Sequence, residues 1–271
     1  MSYLETPGAS IYHEVVGEGP PLLCISGANG SCEPWRGFAQ CLKDRFTVIM
    51  YDRRGFSRSQ LKGRQEYDRR LEVDSDDAAA LIKHISPAGT AAVIGNSSGA
   101  IVALKLLAGH PDVIQTLISY EPPLASVLPD MDALWQQHET TYTTYRRFGI
   151  PPALEHFAKL TQADQKPILA MLESRDNPFL FSNMQHWFER EFMFYPKAEF
   201  DVQNELGPHK GKLVLANGVL SPKGAYQYRG NVELGKLLGL KVVDVPGEHV
   251  GYATHASEFS ERVAEILNAR S

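Results

Sequence analysis

The chain has 271 residues, 43% of them hydrophobic, and a formal net charge of −5. That is apolar material enough for one large core. The basic pairs Arg53–Arg54, Arg69–Arg70 and Arg146–Arg147 are scattered rather than gathered in a stripe, so no nucleic acid partner is expected. No apolar run reaches the roughly 18 residues of a membrane span. The start, MSYLETPGASIYHEVVGEG, has neither the basic nor the apolar segment of a signal peptide. Three cysteines, an odd number, fit reduced thiols in a cytoplasmic protein. No Cys/His spacing suggests a metal, and no organic cofactor is called for.

In chain order, short apolar runs alternate with helical patterns. Buried strands are expected at Pro20–Gly27, Phe46–Asp52, Thr90–Gly95, Ile114–Glu121, Gly211–Gly218 and Leu240–Gly247. Helices are expected at Glu72–Ser86, with acids in the first turn, after the third strand from Ala100, and at Ala256–Ala269. This is an α/β pattern: a mostly parallel sheet covered by helices on both faces, with functional groups gathered beyond the carboxyl ends of the strands. Residues 122–208 break the rhythm with helical patterns and many aromatics, and read as a helical cap inserted between core strands. Residues 1–121 and 209–271 then form the core. Most of the aromatics fill the cap's own interior; Trp187 and Phe188, with Leu124, are the candidates for a substrate pocket wall. An exposed apolar cap face is where a homodimer would form.

Gly95-Asn96-Ser97-Ser98-Gly99 matches G-x-S-x-G between an apolar strand and a helix. A sharp strand-to-helix turn there exposes the Ser97 hydroxyl as a nucleophile. The helix start favours a developing anion. The backbone N–H of Ser98, the residue after the nucleophile, is a candidate oxyanion donor. A second donor comes from the loop after the first strand, from either Gly27 or Ala28. Among nine histidines, His249 stands out: it lies just past the last strand in VPGEHVGY, where an imidazole can serve as general base. His255 reads as a capping or surface residue.

These motifs, with YDRRGFSRS after the second strand, resemble the α/β-hydrolase superfamily over essentially the whole chain. In that turn Asp52 and Arg54 are structural, and Ser57 stands where a glycine is usual. The family's usual seat for the triad acid, after the strand that follows the cap, is here Leu215-Ala216-Asn217-Gly218 and continues to Lys223 without Asp or Glu. The remaining seat is Glu121, at the end of the strand before the cap, stiffened by Pro122 and Pro123. Asp244 and Glu248 are its rivals, and both would have to reach the ring from behind. A narrower similarity, in SSGAIVALKLLAGHPDVIQTLISYEPP and PGEHVGYATHASEF, is to fungal zearalenone-type lactonases, which also place a glutamate there.

The expected activity is therefore that of a serine hydrolase acting on a small hydrophobic ester or lactone through Ser97, His249 and Glu121. Carbon–carbon bond hydrolysis or peptidase action would use the same triad, and a slow-turnover ligand receptor would keep the same pocket. Epoxide hydrolysis and dehalogenation would want an aspartate at position 97.

Overall fold

A computed structural model describes residues 2–163, 169–170, 172–173 and 177–270. Among them nine strands form one sheet: β1 (Ser2–Thr6), β2 (Ala9–Val16), β3 (Pro21–Ile25), β4 (Thr47–Tyr51), β5 (Gln60–Leu61), β6 (Ala91–Asn96), β7 (Ile114–Tyr120), β8 (Leu213–Gly218) and β9 (Val242–Val245). The order is β1-β2-β4-β3-β6-β7-β8-β9, with β5 beside β2. All pairings from β4 to β9 are parallel. The six expected strands are β3, β4, β6, β7, β8 and β9.

The antiparallel edge was not anticipated. β1 and β2 form a hairpin across a two-residue Pro7–Gly8 turn, and β2 runs antiparallel to β4. β1 lies at the sheet's edge and is mostly exposed or half-buried, so its sequence lacks the continuous apolar run that marks a central strand.

Side chains alternate across the sheet. Leu22, Cys24, Val48 and Met50 join Phe38 of α1 (Arg36–Leu42) and Phe259 and Val263 of α8 (Ala256–Asn268) in one buried cluster. Leu23, Ile25, Ile49 and Val93 join Ala78 and Ile82 of α2 (Arg70–Ile85), Ile101 and Leu104 of α3 (Ser98–Gly109) and Leu234 of α7 (Tyr226–Leu238) in a second. Both faces are thus covered, as continuous apolar strands require.

Between β7 and β8 the chain leaves the sheet. It forms α4 (Met131–Phe148), α5 (Ile150–Thr161) and α6 (Leu180–Arg190), then returns through short irregular turns. Gly149 links α4 to α5, with Pro151 and Pro152 in the first turn of α5, where a missing N–H costs nothing. Tyr145, Trp187, Phe188 and Phe192 fill this insertion's own core, with Phe56 from the core turn and Tyr226 from α7 joining them, whereas Phe148, Phe181 and Phe194 are exposed and Tyr195 packs into the main core.

Polar contacts fasten the insertion to the turn after β4. Ser57 has a left-handed backbone (φ 46°), strained for a residue with a Cβ. Asn183 of α6 holds it from both sides: its Oδ1 accepts from Ser57 N at 2.8 Å, and its Nδ2 donates to Ser57 Oγ at 2.8 Å. The other two residues assigned to this turn are indeed tied into it. Asp52 accepts from Cys32 N and from Arg58, and Arg54 pairs with Asp77 through two bonds of 2.8 and 2.7 Å.

His138 of α4 is fully buried among Trp135, Phe192 and Tyr226, and among the described residues neither ring nitrogen has a hydrogen-bond partner. Burial pulls its pKa down to about 4, against about 6.5 in the unfolded chain. Above pH 6.5 the ring is neutral in both states. As pH falls from 6.5 towards 4, the unfolded chain takes up a proton that the folded one refuses, and stability drops by up to about 3 kcal/mol. His138→Phe keeps the ring packing and removes this loss. In urea unfolding at pH 7.5 and pH 5.0, the variant's stability difference between the two pH values should be smaller than the wild type's by about 2 kcal/mol; an equal difference refutes the assignment.

Candidate active site

Ser97 sits between β6 and α3 with φ 57° and ψ −129°, a conformation that costs energy for any non-glycine residue. The surrounding glycines make it feasible. A Cβ on Gly99 would lie 2.3 Å from the Ile25 carbonyl oxygen, so the helix can start against β3 only without a side chain there. Ser97 N donates to the Tyr120 carbonyl at 3.0 Å, which fixes the turn to the end of β7. Ser98 opens α3, and N–H groups in a first helical turn have no intrahelical acceptor.

His249 and Glu121 meet. His249 Nδ1 lies 2.7 Å from Glu121 Oε2, and Gly218 N donates to Glu121 Oε1 at 2.9 Å. Glu121 is fully buried, whereas the His249 side chain is 21% exposed. With the Nδ1 proton directed at the carboxylate, Nε2 is left as the acceptor. Two strand ends brace the histidine turn. Asn96 Nδ2 donates to the His249 carbonyl at 2.8 Å, and the Tyr120 hydroxyl donates to the Glu248 carbonyl. Asp244 and Glu248 themselves are exposed.

The end of β8 explains why it carries no acid. Asn217 is fully buried, donating to the Tyr228 carbonyl at 2.9 Å and accepting from Asn231 Nδ2 at 3.1 Å. Asn231 also donates to the Ser119 and Ala216 carbonyls. These amides join α7 to β7 and β8, so the end of β8 supplies structure and one backbone N–H, while β7 supplies the carboxylate.

The loop after β3 closes the other side. A Cβ on Gly27 would lie 2.8 Å from Ser97 Cβ, so the backbone there is pressed against the serine. The Gly27 carbonyl accepts from Gly30 N at 2.9 Å and from Arg53 Nη2 at 2.8 Å. Beside Ser97 and Ser98 is a cavity of about 20 Å³, lined by Phe157, Trp187, Phe192 and Tyr226 and by Glu191. Of the expected wall residues, Trp187 lines this cavity. Leu124 instead belongs to the main core, and Phe188 stacks on Tyr145 at 4.5 Å inside the insertion.

Glu191 is part of a buried ionic cluster. Arg53 holds both its oxygens at 2.8 Å, and Asp74 accepts from Arg53 and Arg70 at 3.1 Å each and from the Tyr195 hydroxyl at 2.7 Å. Burial pushes the Glu191 carboxyl up, against the pull of Arg53. Burial pushes Asp74 up as well, but Arg70 and Arg53 outweigh it and hold its carboxyl below the usual value. Sequence reading passed over Asn96, Tyr120, Arg53, Glu191 and Asn231. Asn96 and Tyr120 adjoin expected catalytic residues and could have been found as their neighbours; the others act through contacts distant in sequence. Among the described residues no group of three or more His, Cys, Asp or Glu side chains is arranged to hold a metal, and no helix is long and apolar enough to cross a membrane.

Residues 20–198 match the family model of the alpha/beta hydrolase fold. The chain is 30% identical over 266 residues to the hydrolase YraK of Bacillus subtilis (strain 168), covering 97% of this chain and 94% of that protein. The enol-lactonase from Burkholderia xenovorans LB400 has a similar structure, with a TM-score of 0.72 at 18% identity, covering 98% of this chain and 100% of the other. A thermophilic esterase from Thermogutta terrifontis superposes with a TM-score of 0.73 at 19% identity, covering 100% and 99%.

The contact between Gly27 and Ser97 yields a direct test. Gly27→Ala must displace either the loop or the serine, and an error of that size should slow labelling of Ser97 by a fluorophosphonate about a hundredfold. Labelling at the wild-type rate would show that the loop does not constrain the serine.

Proposed function

The chain belongs to the α/β-hydrolase fold family, and from that premise we propose that it is a serine hydrolase cleaving carboxylic esters or lactones through an acyl-enzyme on Ser97. The observation that carries this reading is the 2.7 Å contact between His249 Nδ1 and the buried Glu121 carboxylate, beside a strained serine at the head of α3. The enol-lactonase and esterase among its structural neighbours favour ester bonds over other acyl bonds.

The reaction runs in two halves. His249 Nε2 takes the Ser97 proton as Oγ bonds to the substrate carbonyl carbon. The carbonyl π electrons move to oxygen, where the Ser98 N–H and an N–H from Gly27 or Ala28 stabilise the charge. The intermediate collapses, the carbon–oxygen bond to the alcohol breaks, and His249 gives its proton to the departing oxygen. In a lactone that oxygen stays tethered to the acyl group. Water, deprotonated by His249, then attacks the acyl-enzyme, and the proton returns to Ser97 as the carboxylic acid leaves. Glu121 holds the ring's tautomer and stabilises the imidazolium.

The helical insertion acts as a cap, and its aromatic wall suits an uncharged, hydrophobic substrate. The cavity beside Ser97, about 20 Å³, holds little more than one water-sized group.

Three variants test the reading on aryl esters and on small and macrocyclic lactones. Ser97→Ala should abolish both fluorophosphonate labelling and turnover. Glu121→Gln should lower kcat about 10²- to 10⁴-fold, while Asp244→Asn stays near wild type. Hydrolysis that survives Ser97→Ala, or ligand capture without turnover by the wild type, would refute the mechanism; a crippled Asp244→Asn beside a healthy Glu121→Gln would move the acid.

A further inference from the structure

We propose that Arg53, clamped by Glu191 of the helical insertion, is a positioning residue that orients the Gly27–Ala28 peptide so that the Ala28 N–H serves as an oxyanion donor. The inference rests on the serine hydrolase reading and adds a link between the insertion and the reacting centre.

The geometry begins at the guanidinium. Arg53 is fully buried. Its Nη1 donates to Glu191 Oε1 at 2.8 Å and to Asp74 Oδ2 at 3.1 Å; its Nη2 donates to Glu191 Oε2 and to the Gly27 carbonyl, both at 2.8 Å. A planar fork with four acceptors has little rotational freedom left. The Gly27 carbonyl also closes a turn by accepting from Gly30 N, so two donors fix its direction. No peptide bond in the chain is cis among the described residues. In a trans peptide the C=O and the following N–H point in opposite directions. Pinning Gly27 O towards Arg53 therefore turns the Ala28 N–H away from Arg53, while Gly27 itself lies close against Ser97, where an added Cβ would come within 2.8 Å of the serine Cβ.

Glu191 makes this arrangement depend on the insertion. It follows α6, is fully buried, and lines the cavity beside Ser97. Without it, Arg53 would keep only Asp74 as a carboxylate partner, and Asp74 is already shared with Arg70 and Tyr195. Burying ion pairs is a poor route to stability compared with apolar packing, whereas a fixed guanidinium fork gives directional control of a carbonyl.

The test compares Arg53→Lys, Glu191→Gln and Asn183→Ala with wild type. Lysine keeps the charge but cannot span both carboxylate oxygens and the Gly27 carbonyl. Asn183→Ala weakens another contact between the insertion and the core, one that does not involve Gly27. Measured are kcat and KM on p-nitrophenyl acetate, thermal midpoint, and Ki for an alkyl trifluoromethyl ketone, whose hemiketal oxyanion needs the same donors. For Arg53→Lys, kcat should fall about ten- to a hundredfold with KM within about twofold, and Ki should rise by the same factor as kcat falls. Glu191→Gln should show the same pattern more weakly and serves as the deciding variant if Arg53→Lys does not fold. Asn183→Ala should leave kcat and Ki within about twofold of wild type. Unchanged kcat and Ki in the folded Arg53 and Glu191 variants overturn the proposal. So does an equal loss in Asn183→Ala, which would trace the effect to docking of the insertion in general. A wild-type protein that neither labels with fluorophosphonate nor turns over ester refutes the hydrolase reading itself, a result distinct from failure of the Arg53 link alone.

Discussion

The pairing of β6 with β7 is the constraint on which the site depends. Asn96 pairs with Tyr120, and Ser97 N then donates to the Tyr120 carbonyl. Ser97 and Glu121 are thereby the first residues beyond one shared register position. Both leave their strands with positive φ, 57° and 48°, so the two chains diverge at the same level and present their side chains at the sheet's carboxyl edge. The histidine turn is then built onto these two strand ends, through the Asn96 side chain and the Tyr120 hydroxyl. A slip of one residue between β6 and β7 would turn apolar side chains to the wrong face. The burial that fixes the fold therefore also fixes the spacing of serine and acid.

A second constraint joins the insertion to the sheet. Its aromatic interior is mostly its own, but its anchors on the core are polar: Asn183 on Ser57 and Glu191 on Arg53, both in the turn after β4, and Tyr195 on Asp74 of α2. Three carboxylates, Asp74, Asp77 and Glu191, are matched by three guanidiniums, Arg53, Arg54 and Arg70. Within this cluster the formal charges balance, which is the condition under which such groups can be buried together. The bonds of Glu191 to Arg53 and of Tyr195 to Asp74 set the placement of the insertion beside Ser97 more narrowly than packing of interchangeable aromatic rings would.

Much of this was legible in the residues. Continuous apolar runs located the parallel strands because such strands are buried on both faces. The alternation along β2 and the exposed β1 gave no comparable signal, and the antiparallel edge was missed. The empty seat after β8 pointed back to Glu121, which lies 2.7 Å from His249 Nδ1. The pocket wall was harder. Trp187 and Phe188 are adjacent and equally apolar, but one residue on a helix is a rotation of about 100°. One ring faces the cavity and the other stacks on Tyr145; only the docking angle of α6 decides which.

The sequence by itself determined the sheet's central strands, the serine elbow and the two residue types that can act with it. Those features depend on local chemistry: apolar runs, glycines where no Cβ fits, and a turn that places histidine past a strand. Tertiary structure alone decided how Asn231 locks the end of β8, which aromatic ring faces Ser97, and that Arg53 reaches from Glu191 to the Gly27 carbonyl. Glu191 lies 138 residues from Arg53 in the chain. No local pattern encodes such a bond, because it exists only once the insertion has folded back over the sheet and both charges have been desolvated together.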